Sequence, residues 1–140
     1  MADYKRPIPV PTPETQPFWD ATKQHKLSLQ QCSDCKTTYF PPRSMCPAKG
    51  CHSTNVGWVN VSGKGKLHSY VINHRPIPGF EDIAPYAIAV VKLDEGPKMM
   101  SNIIGIENTP ENLVLDMPVE VVFEDITDEI TLYKFKPAGA

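Results

Sequence analysis

All four cysteines of this 140-residue chain fall within one short stretch, as two close pairs: Cys32, Cys35, Cys46 and Cys51. Two residues separate the first pair and four separate the second, and both gaps lie in the range that zinc ligands use. Four thiolates around one zinc ion make a closed tetrahedral site with no open position for a substrate. The pattern therefore predicts one structural zinc ion.

Iron and disulfides are the alternatives to zinc, and four cysteines allow three disulfide connectivities. The first ten residues, MADYKRPIPV, contain no apolar core of a signal peptide. The longest apolar run, Ile83 to Val91, has nine residues, too few to cross a bilayer. We therefore expect a cytoplasmic protein without a membrane segment. A reducing cytosol favours metal binding over disulfides.

Charge and proline are unevenly distributed along the chain. Residues 1–56 carry seven Lys and Arg against four Asp and Glu, a net +3, whereas residues 57–140 carry seven against twelve, a net −5. Prolines crowd positions 7 to 17, which predicts an extended arm there. We expect two domains: an arm, short helix and zinc ribbon at 1–56, and a barrel at 57–140. The first is too small to bury much core, so a metal would stabilise it.

The N-terminal half is predicted to contain one short helix. Thr15 is a suitable cap for a helix from Gln16 to His25. Phe18 and Trp19 lie in this helix, and we expect their rings to pack against the domain, the alternative being that they dock a partner. Two short strands are predicted beside the cysteines: Leu27–Gln31 and Thr37–Phe40.

Beyond Val56 the sequence indicates β-strands separated by turns. Gly63 and Gly65 permit a sharp bend before the first strand. A short helix is expected from Thr109, with Pro110 in its first turn. The five predicted strands are Lys66–Asn73, Tyr86–Leu93, Lys98–Ile104, Val119–Glu124 and Ile130–Phe135. Five strands with a helix between the third and fourth predict a mostly β protein whose second domain is a five-stranded OB-fold barrel.

The connection from His74 to Pro85 joins the first two barrel strands and is twelve residues long. Loops of this length are typically functional or disordered, and three prolines argue against disorder. Its apolar residues favour a binding loop over one folded back on its own barrel. Candidate contacts with a ligand or partner are His74, Arg75, Phe80 and Tyr86. Arg43 joins them because guanidinium groups suit phosphate; alternatively, it offsets the charge of a zinc tetrathiolate.

The order of these parts resembles a family of bacterial and archaeal acyl-CoA-associated proteins that join a rubredoxin-like zinc ribbon to an OB-fold. The matching residues are Phe18-Trp19, Cys32 to Cys35, Phe40 to Arg43, Cys46-Pro47, Ser62 to Gly65, His74-Arg75, Pro78 to Phe80, Pro85-Tyr86, Leu93 to Gly96, Gly105, Met117 to Val119, Val121 to Phe123 and Phe135 to Pro137. The match spans nearly the whole chain. One departure is the four-residue gap between Cys46 and Cys51, where many relatives have two.

The resemblance implies a non-catalytic accessory subunit in a hetero-oligomer. Its partner would be a large subunit of the thiolase superfamily or, as the second possibility, a hydratase of the hot-dog fold. Such complexes act on acyl-CoA thioesters in thiolysis, acyl condensation or retro-aldol cleavage, and the small subunit would support the acyl-CoA site. The residues agree with this role, because none of the four histidines lies in a nucleophile motif and Ser101 does not lie in a nucleophile-elbow motif. We therefore expect no catalytic residues.

A single-stranded nucleic-acid-binding module is the alternative function, because zinc ribbons and OB-folds both serve that role. Such a module needs a positive groove and stacking aromatic residues. The net −5 of residues 57–140 argues against it, and the sequence there contains no run of Lys and Arg. We therefore expect no nucleic-acid partner.

Overall fold

The computed structural model describes residues 4–139. One helix and eight strands follow one another: α1 (Gln16–Lys23), β1 (Leu27–Cys32), β2 (Thr38–Tyr39), β3 (Val56–Val61), β4 (Lys64–Asn73), β5 (Tyr86–Leu93), β6 (Lys98–Ser101), β7 (Pro118–Asp125) and β8 (Thr131–Pro137). The predicted mostly β class is confirmed. Within the described part of the chain, no helix is long and apolar enough to span a membrane.

The first sheet has three antiparallel strands in the order β2-β1-β3. The central strand β1 pairs with β3 along its full length, from Leu27 opposite Val61 to Cys32 opposite Val56. Strand β3 was not among the predicted strands, because Gly57 interrupts its apolar residues and strand propensity depends on side-chain packing. This pairing fixes the end of β1, where the first cysteine lies.

The second sheet is a five-stranded barrel in the order β6-β5-β4-β7-β8. A parallel bridge between Ile103 and Phe135 links the chain beyond β6 to β8 and closes the barrel. Strand β4 pairs with a neighbour on each side, because Gly65 lies opposite Leu93 of β5 and opposite Val119 of β7. The five predicted strands are confirmed in number and order. Closure leaves little exposed strand edge.

One continuous core joins the barrel to the N-terminal half. Its fully buried barrel residues include Leu67, Ala87, Ala89, Val91, Met99, Ile103, Val119 and Phe135. Phe18 of α1 is only 2% exposed, and its ring lies 5.5 Å from those of Phe40 and Tyr133. Trp19 and Trp58 pack against the same core. The expectation that the helix aromatics pack on the domain is confirmed.

A polar contact also joins the turn after α1 to the barrel. The Nε2 atom of His25 lies 3.0 Å from Oδ1 of Asp125 in β7, and the imidazole stacks on Phe123 at 5.3 Å. Hydrogen bonds with the Thr131 hydroxyl and then with His25 lower the pKa of the Asp125 carboxyl. The contact connects positions 100 residues apart in sequence.

Three details of the helix predictions are wrong. Helix α1 begins at Gln16 as predicted but ends at Lys23, and the Thr15 hydroxyl accepts a hydrogen bond from the Thr12 amide instead of capping the helix. The segment after Thr109 is a single turn, in which the Leu113 amide donates to the Thr109 carbonyl at 3.0 Å. It stays a turn because Asp116 adopts a positive φ of 68° soon afterwards and too few residues remain for a stable helix.

The close approach at Gly65 makes a testable prediction about stability. A methyl group there would clash with the Lys92 carbonyl oxygen and lie 2.9 Å from the Leu93 Cα, both backbone atoms. We expect Gly65→Ala to lower the free energy of unfolding by about 1–3 kcal/mol, as overpacking does. Gly57→Ala is the matched control, because nothing lies within 4 Å of its added methyl group. Equal urea midpoints for the two variants would contradict the prediction.

Candidate functional site

The first pair of cysteines lies on a tight turn at the end of β1. Cys32 is fully buried, and its sulfur accepts a hydrogen bond from the Cys35 amide at 3.5 Å. The turn closes when the Lys36 amide donates to the Cys32 carbonyl at 2.9 Å, with Lys36 at φ 65°. Amide donors directed at sulfur stabilise the thiolate form that zinc requires.

The second pair uses a wider turn. The Cys46 amide donates to the Ser53 carbonyl at 2.8 Å, and the Ala48 amide donates to the Cys46 sulfur at 3.4 Å. Gly50 turns the chain within the four-residue gap at φ 81°, and His52 turns it again directly after Cys51 at φ 54°. The longer gap therefore does not prevent Cys51 from reaching the same centre.

The four sulfur atoms converge, all within 4.8 Å of one another. Cys32 and Cys51 are 3.7 Å apart, and Cys35 and Cys46 are 3.6 Å apart. A tetrahedral zinc site with Zn–S bonds of about 2.3 Å has sulfur–sulfur edges of about 3.8 Å, so these residues fit zinc. The separations are far longer than a disulfide bond of about 2.05 Å. The structure therefore brings the four predicted zinc ligands to one centre that could hold the metal.

The sulfurs differ in their electrostatic surroundings. A hydrogen bond with the Thr37 hydroxyl lowers the pKa of the exposed Cys35 thiol to about 6. Burial raises the pKa of Cys46 to about 12 when no metal is bound. A zinc ion would hold all four as thiolates, and four sulfur ligands close the site to substrate. The centre can therefore stabilise structure but has no position for metal-based catalysis.

A second feature lies where the loop of residues 74–85 meets the N-terminal arm. Arg6 forms an ion pair with Asp82 at 2.8 Å, and its guanidinium lies 5.5 Å from the Phe80 ring centre. Phe80 stacks on Tyr86 at 5.5 Å. A side chain at Gly79 would meet the Lys5 carbonyl oxygen at 2.7 Å, so the two segments are in close contact. The loop is thus held by its own chain on one side.

A cavity of about 600 Å³ opens beside these contacts. Its apolar wall is formed mainly by Ile83, Pro85, Ile103, Ile104 and Ile106. Lys134 donates a hydrogen bond to Oδ1 of Asn102 at 2.7 Å, and burial lowers the pKa of this lysine. The buried Nε of Arg6 has no hydrogen-bond partner among residues 4–139. An apolar cavity with a few converging polar groups is typical of small-molecule sites.

The structure brings together two of the five predicted contact residues. Phe80 and Tyr86 both line the cavity. His74 and Arg75 are exposed, with the Arg75 amide turned back to Oδ1 of Asn73 at 3.0 Å. Arg43 lies in the ribbon, where its carbonyl accepts a hydrogen bond from the Tyr39 hydroxyl at 3.0 Å. These three do not line the cavity, and the functional role of all five stays a prediction.

Sequence reasoning missed the polar residues of the cavity. Arg6, Asn102 and Lys134 come from the arm, the segment after β6 and strand β8. No motif joins them, since the nearest two in sequence, Asn102 and Lys134, are separated by 32 positions. Only the closed barrel brings them to one cavity.

Fold and metal centre together define a zinc ribbon joined to an OB-fold barrel. Residues 19–57 match the family described as "ChsH2, rubredoxin-like zinc ribbon domain", and residues 58–124 match "ChsH2, C-terminal OB-fold domain". A "DUF35 domain-containing scaffold protein" of Methanocaldococcus jannaschii is 39% identical over 113 residues, which are 76% of this chain and 78% of that protein. The chain therefore belongs to the DUF35 family of zinc-ribbon and OB-fold proteins.

Two further relatives have names that refer to enzymes. A chain from a solved "Ltp2-ChsH2(DUF35) aldolase" superposes with a TM-score of 0.80 at 35% identity, over 94% of this chain and 99% of that one. A "Probable enoyl-CoA hydratase alpha subunit" of Thermomonospora curvata is 36% identical over 134 residues. That match includes 95% of this chain but spans only 40% of the length of the hydratase subunit.

The metal centre makes a direct prediction about folding. We expect about one zinc ion per chain, contributing on the order of 10 kcal/mol to folding of the N-terminal half. Cys46→Ser should lose the zinc and the ordered ribbon, because Cys46 is a fully buried ligand. His52→Ala is the control, since His52 lies beside Cys51 but is no ligand. Mass spectrometry measures the zinc content of each variant, and circular dichroism measures its folding. A folded, zinc-free wild type would contradict the prediction.

Proposed function

We propose that this chain is a non-catalytic accessory subunit of an acyl-CoA-processing complex, with a large subunit of the thiolase superfamily as its partner. One observation carries the proposal: the likeness to the aldolase-associated DUF35 chain extends over 99% of that chain, at 35% identity. Both parts of the fold are included. The accessory subunit would hold the assembly together and support the acyl-CoA site of its partner.

The chemistry of the described residues supports a non-catalytic role. The four cysteines are grouped as one metal centre, which removes them as nucleophiles. The only histidine–carboxylate pair among residues 4–139, His25 with Asp125, stacks on Phe123 and joins α1 to the barrel. Its carboxylate also accepts a hydrogen bond from the buried Thr131, so the group is engaged in structure.

A hydratase of the hot-dog fold is the second candidate partner. The observation that favours it is the match to the hydratase alpha subunit of T. curvata. This chain corresponds to only 40% of that subunit. In a hydratase complex, the remaining 60% would have to come from a separate polypeptide or from a further segment of the same polypeptide. The aldolase-associated relative, by contrast, is matched over nearly all of its length.

The cavity beside Phe80 and Tyr86 is the part of this subunit that we assign to the acyl-CoA site. Its isoleucine-rich wall suits an acyl chain or the apolar portion of a thioester arm. Arg6 and Lys134 line it together with Glu107 and Glu124, so its border carries charged groups of both signs. His74 and Arg75 are exposed nearby in the chain and would contact the partner or the coenzyme only in the assembled complex.

Assembly and activity together test this function. The chain would be co-expressed with thiolase-superfamily and hot-dog-fold enzymes of the same organism, and complexes would be isolated through a tag on this chain. We expect a hetero-oligomer that turns over acyl-CoA, whereas the isolated, contaminant-free chain shows no turnover because it lacks a nucleophile and base pair. Turnover by the isolated chain, or failure to assemble with any of these enzymes, would contradict the proposal.

Phe80 provides a sharper test of the cavity. We expect Phe80→Ala to raise the apparent Michaelis constant of the complex for acyl-CoA several-fold, because the variant removes one wall of the cavity and its stacking on Tyr86. Ile77→Ala is the matched control, since Ile77 belongs to the same loop but is 57% exposed and does not line the cavity. A lower melting temperature of the isolated Phe80→Ala subunit with unchanged kinetics of the complex would make Phe80 purely structural.

A further inference from the structure

Three lysines form a row across the outer face of the barrel. The strand register places Lys66 of β4 opposite Lys92 of β5, and Lys92 opposite Lys98 of β6. All three are exposed, whereas their neighbours Leu67, Val91 and Met99 point into the core. Directly paired residues share one face of a sheet, and neighbouring strands are about 4.8 Å apart. The sequence contains no run of basic residues, and the basic cluster therefore forms only when the strands pair.

Like charges placed directly opposite each other in a sheet are destabilising. No carboxylate among residues 4–139 forms an ion pair with any of the three lysines. Asp94 and Asp116 line the shallow depression beside Lys66 and Lys92 but remain outside ion-pair distance. The row is thus a concentration of positive charge in a barrel half whose net charge is −5.

The next rows on the same outer face are mostly apolar, with Ser69 as the polar member. Ser69, Val90 and Met100 are aligned across β4, β5 and β6, and Val71 lies opposite Ile88. Val71 is 61% exposed and Met100 is 64% exposed. An exposed apolar centre beside a charged border is the usual arrangement of a protein–protein interface.

This surface is continuous with the cavity. The outward residues of β5 follow one another as Lys92, Val90, Ile88 and Tyr86, and Tyr86 stacks on Phe80 at the cavity. The ribbon and α1 cover a different part of the barrel, where α1 contacts β8. A macromolecule seated on the outer face of β4, β5 and β6 would therefore also reach the cavity.

We propose that this outer face is the docking surface for the large enzyme subunit, and that the subunit presents an apolar patch bordered by acidic side chains. Aspartate or glutamate residues opposite the row would neutralise Lys66, Lys92 and Lys98, while the patch would cover Val71 and Met100. A second copy of this chain docked through the same face does not supply that border, because it would place lysines opposite lysines. The inference rests on the proposed function, since it names the surface through which the accessory subunit assembles.

Single-stranded nucleic acid is a poorer match to the same face. It would need aromatic residues for base stacking along the positive row. The aromatic pair Phe80 and Tyr86 lies at the opposite end of β5 from Lys92, and aliphatic residues separate the two. Binding of an oligonucleotide is therefore an outcome of the test and not the expectation.

The experiment uses the co-expressed complex and four variants of this chain. The first reverses the row, as Lys66→Glu, Lys92→Glu and Lys98→Glu together, and the second replaces the exposed apolar residue, as Met100→Glu. The control reverses three exposed lysines elsewhere: Lys23→Glu, Lys26→Glu and Lys49→Glu. It changes the net charge by the same amount. A fourth protein with arginine at all three row positions preserves the charge.

We expect reversal of the row to weaken binding of the large subunit about 100-fold, and Met100→Glu to weaken it at least about tenfold. The control and the arginine protein should bind as the wild type does. Binding by the wild type should weaken with rising salt, and the reversed row should lose that dependence. Zinc content and melting temperature, measured on each isolated variant, show that the fold is retained.

The failures are distinguishable. A complex that forms equally well with all variants would overturn the docking surface and leave the accessory function standing. Failure of the wild type to assemble with any of the co-expressed enzymes would overturn the accessory function and the docking surface together. A complex unaffected by the reversed row, combined with row-dependent binding of a single-stranded oligonucleotide, would make this face a nucleic-acid surface and overturn the proposal.

Discussion

Convergence of four sulfur atoms on one point is the constraint on which the N-terminal half depends. Two separate turns must bring Cys32, Cys35, Cys46 and Cys51 within 4.8 Å of one another. The three-stranded sheet of β1, β2 and β3 is too small to supply a large core, so the metal replaces part of the burial that a bigger domain would use. Once the sulfurs are fixed, the end of β1 and the chain leading into β3 are fixed with them.

The ribbon matters to the barrel because the two halves share a core. Phe18 inserts between the ribbon and β8, and burial of such a ring stabilises the fold by about 1.5–3 kcal/mol. Burial in this contact raises the pKa of Tyr133 to about 12. Loss of the metal would therefore disturb α1 and, through Phe18, the surface of the barrel. Helix α1 contacts β1 and β8, so the outer face of β4, β5 and β6 is a different part of the barrel surface.

Much of the fold could be predicted from the sequence, because its strongest signals are local. The cysteine spacing indicated the metal centre, and apolar runs separated by glycine and proline indicated all five barrel strands. What was missed depends on tertiary contacts. The segment after Thr109 remains a turn where a helix was expected, because Asp116 adopts a positive φ and its amide donates a hydrogen bond to the Leu67 carbonyl of β4.

The functional surfaces were harder to predict, because register and loop contacts create them. Lys66, Lys92 and Lys98 are far apart in sequence and become neighbours only when β4, β5 and β6 pair. Likewise, the ion pair between Arg6 and Asp82 spans 76 positions and links the arm to the long loop. Neither arrangement has a local pattern that a reader of the sequence can recognise.

Native mass spectrometry of the co-expressed proteins tests the accessory role most directly, since it reports subunits and metal in one spectrum. The account predicts a hetero-oligomer that contains this chain, about one zinc ion per copy of it, and a large acyl-CoA enzyme subunit. A spectrum in which this chain appears only by itself, with every candidate enzyme also alone, would contradict the account.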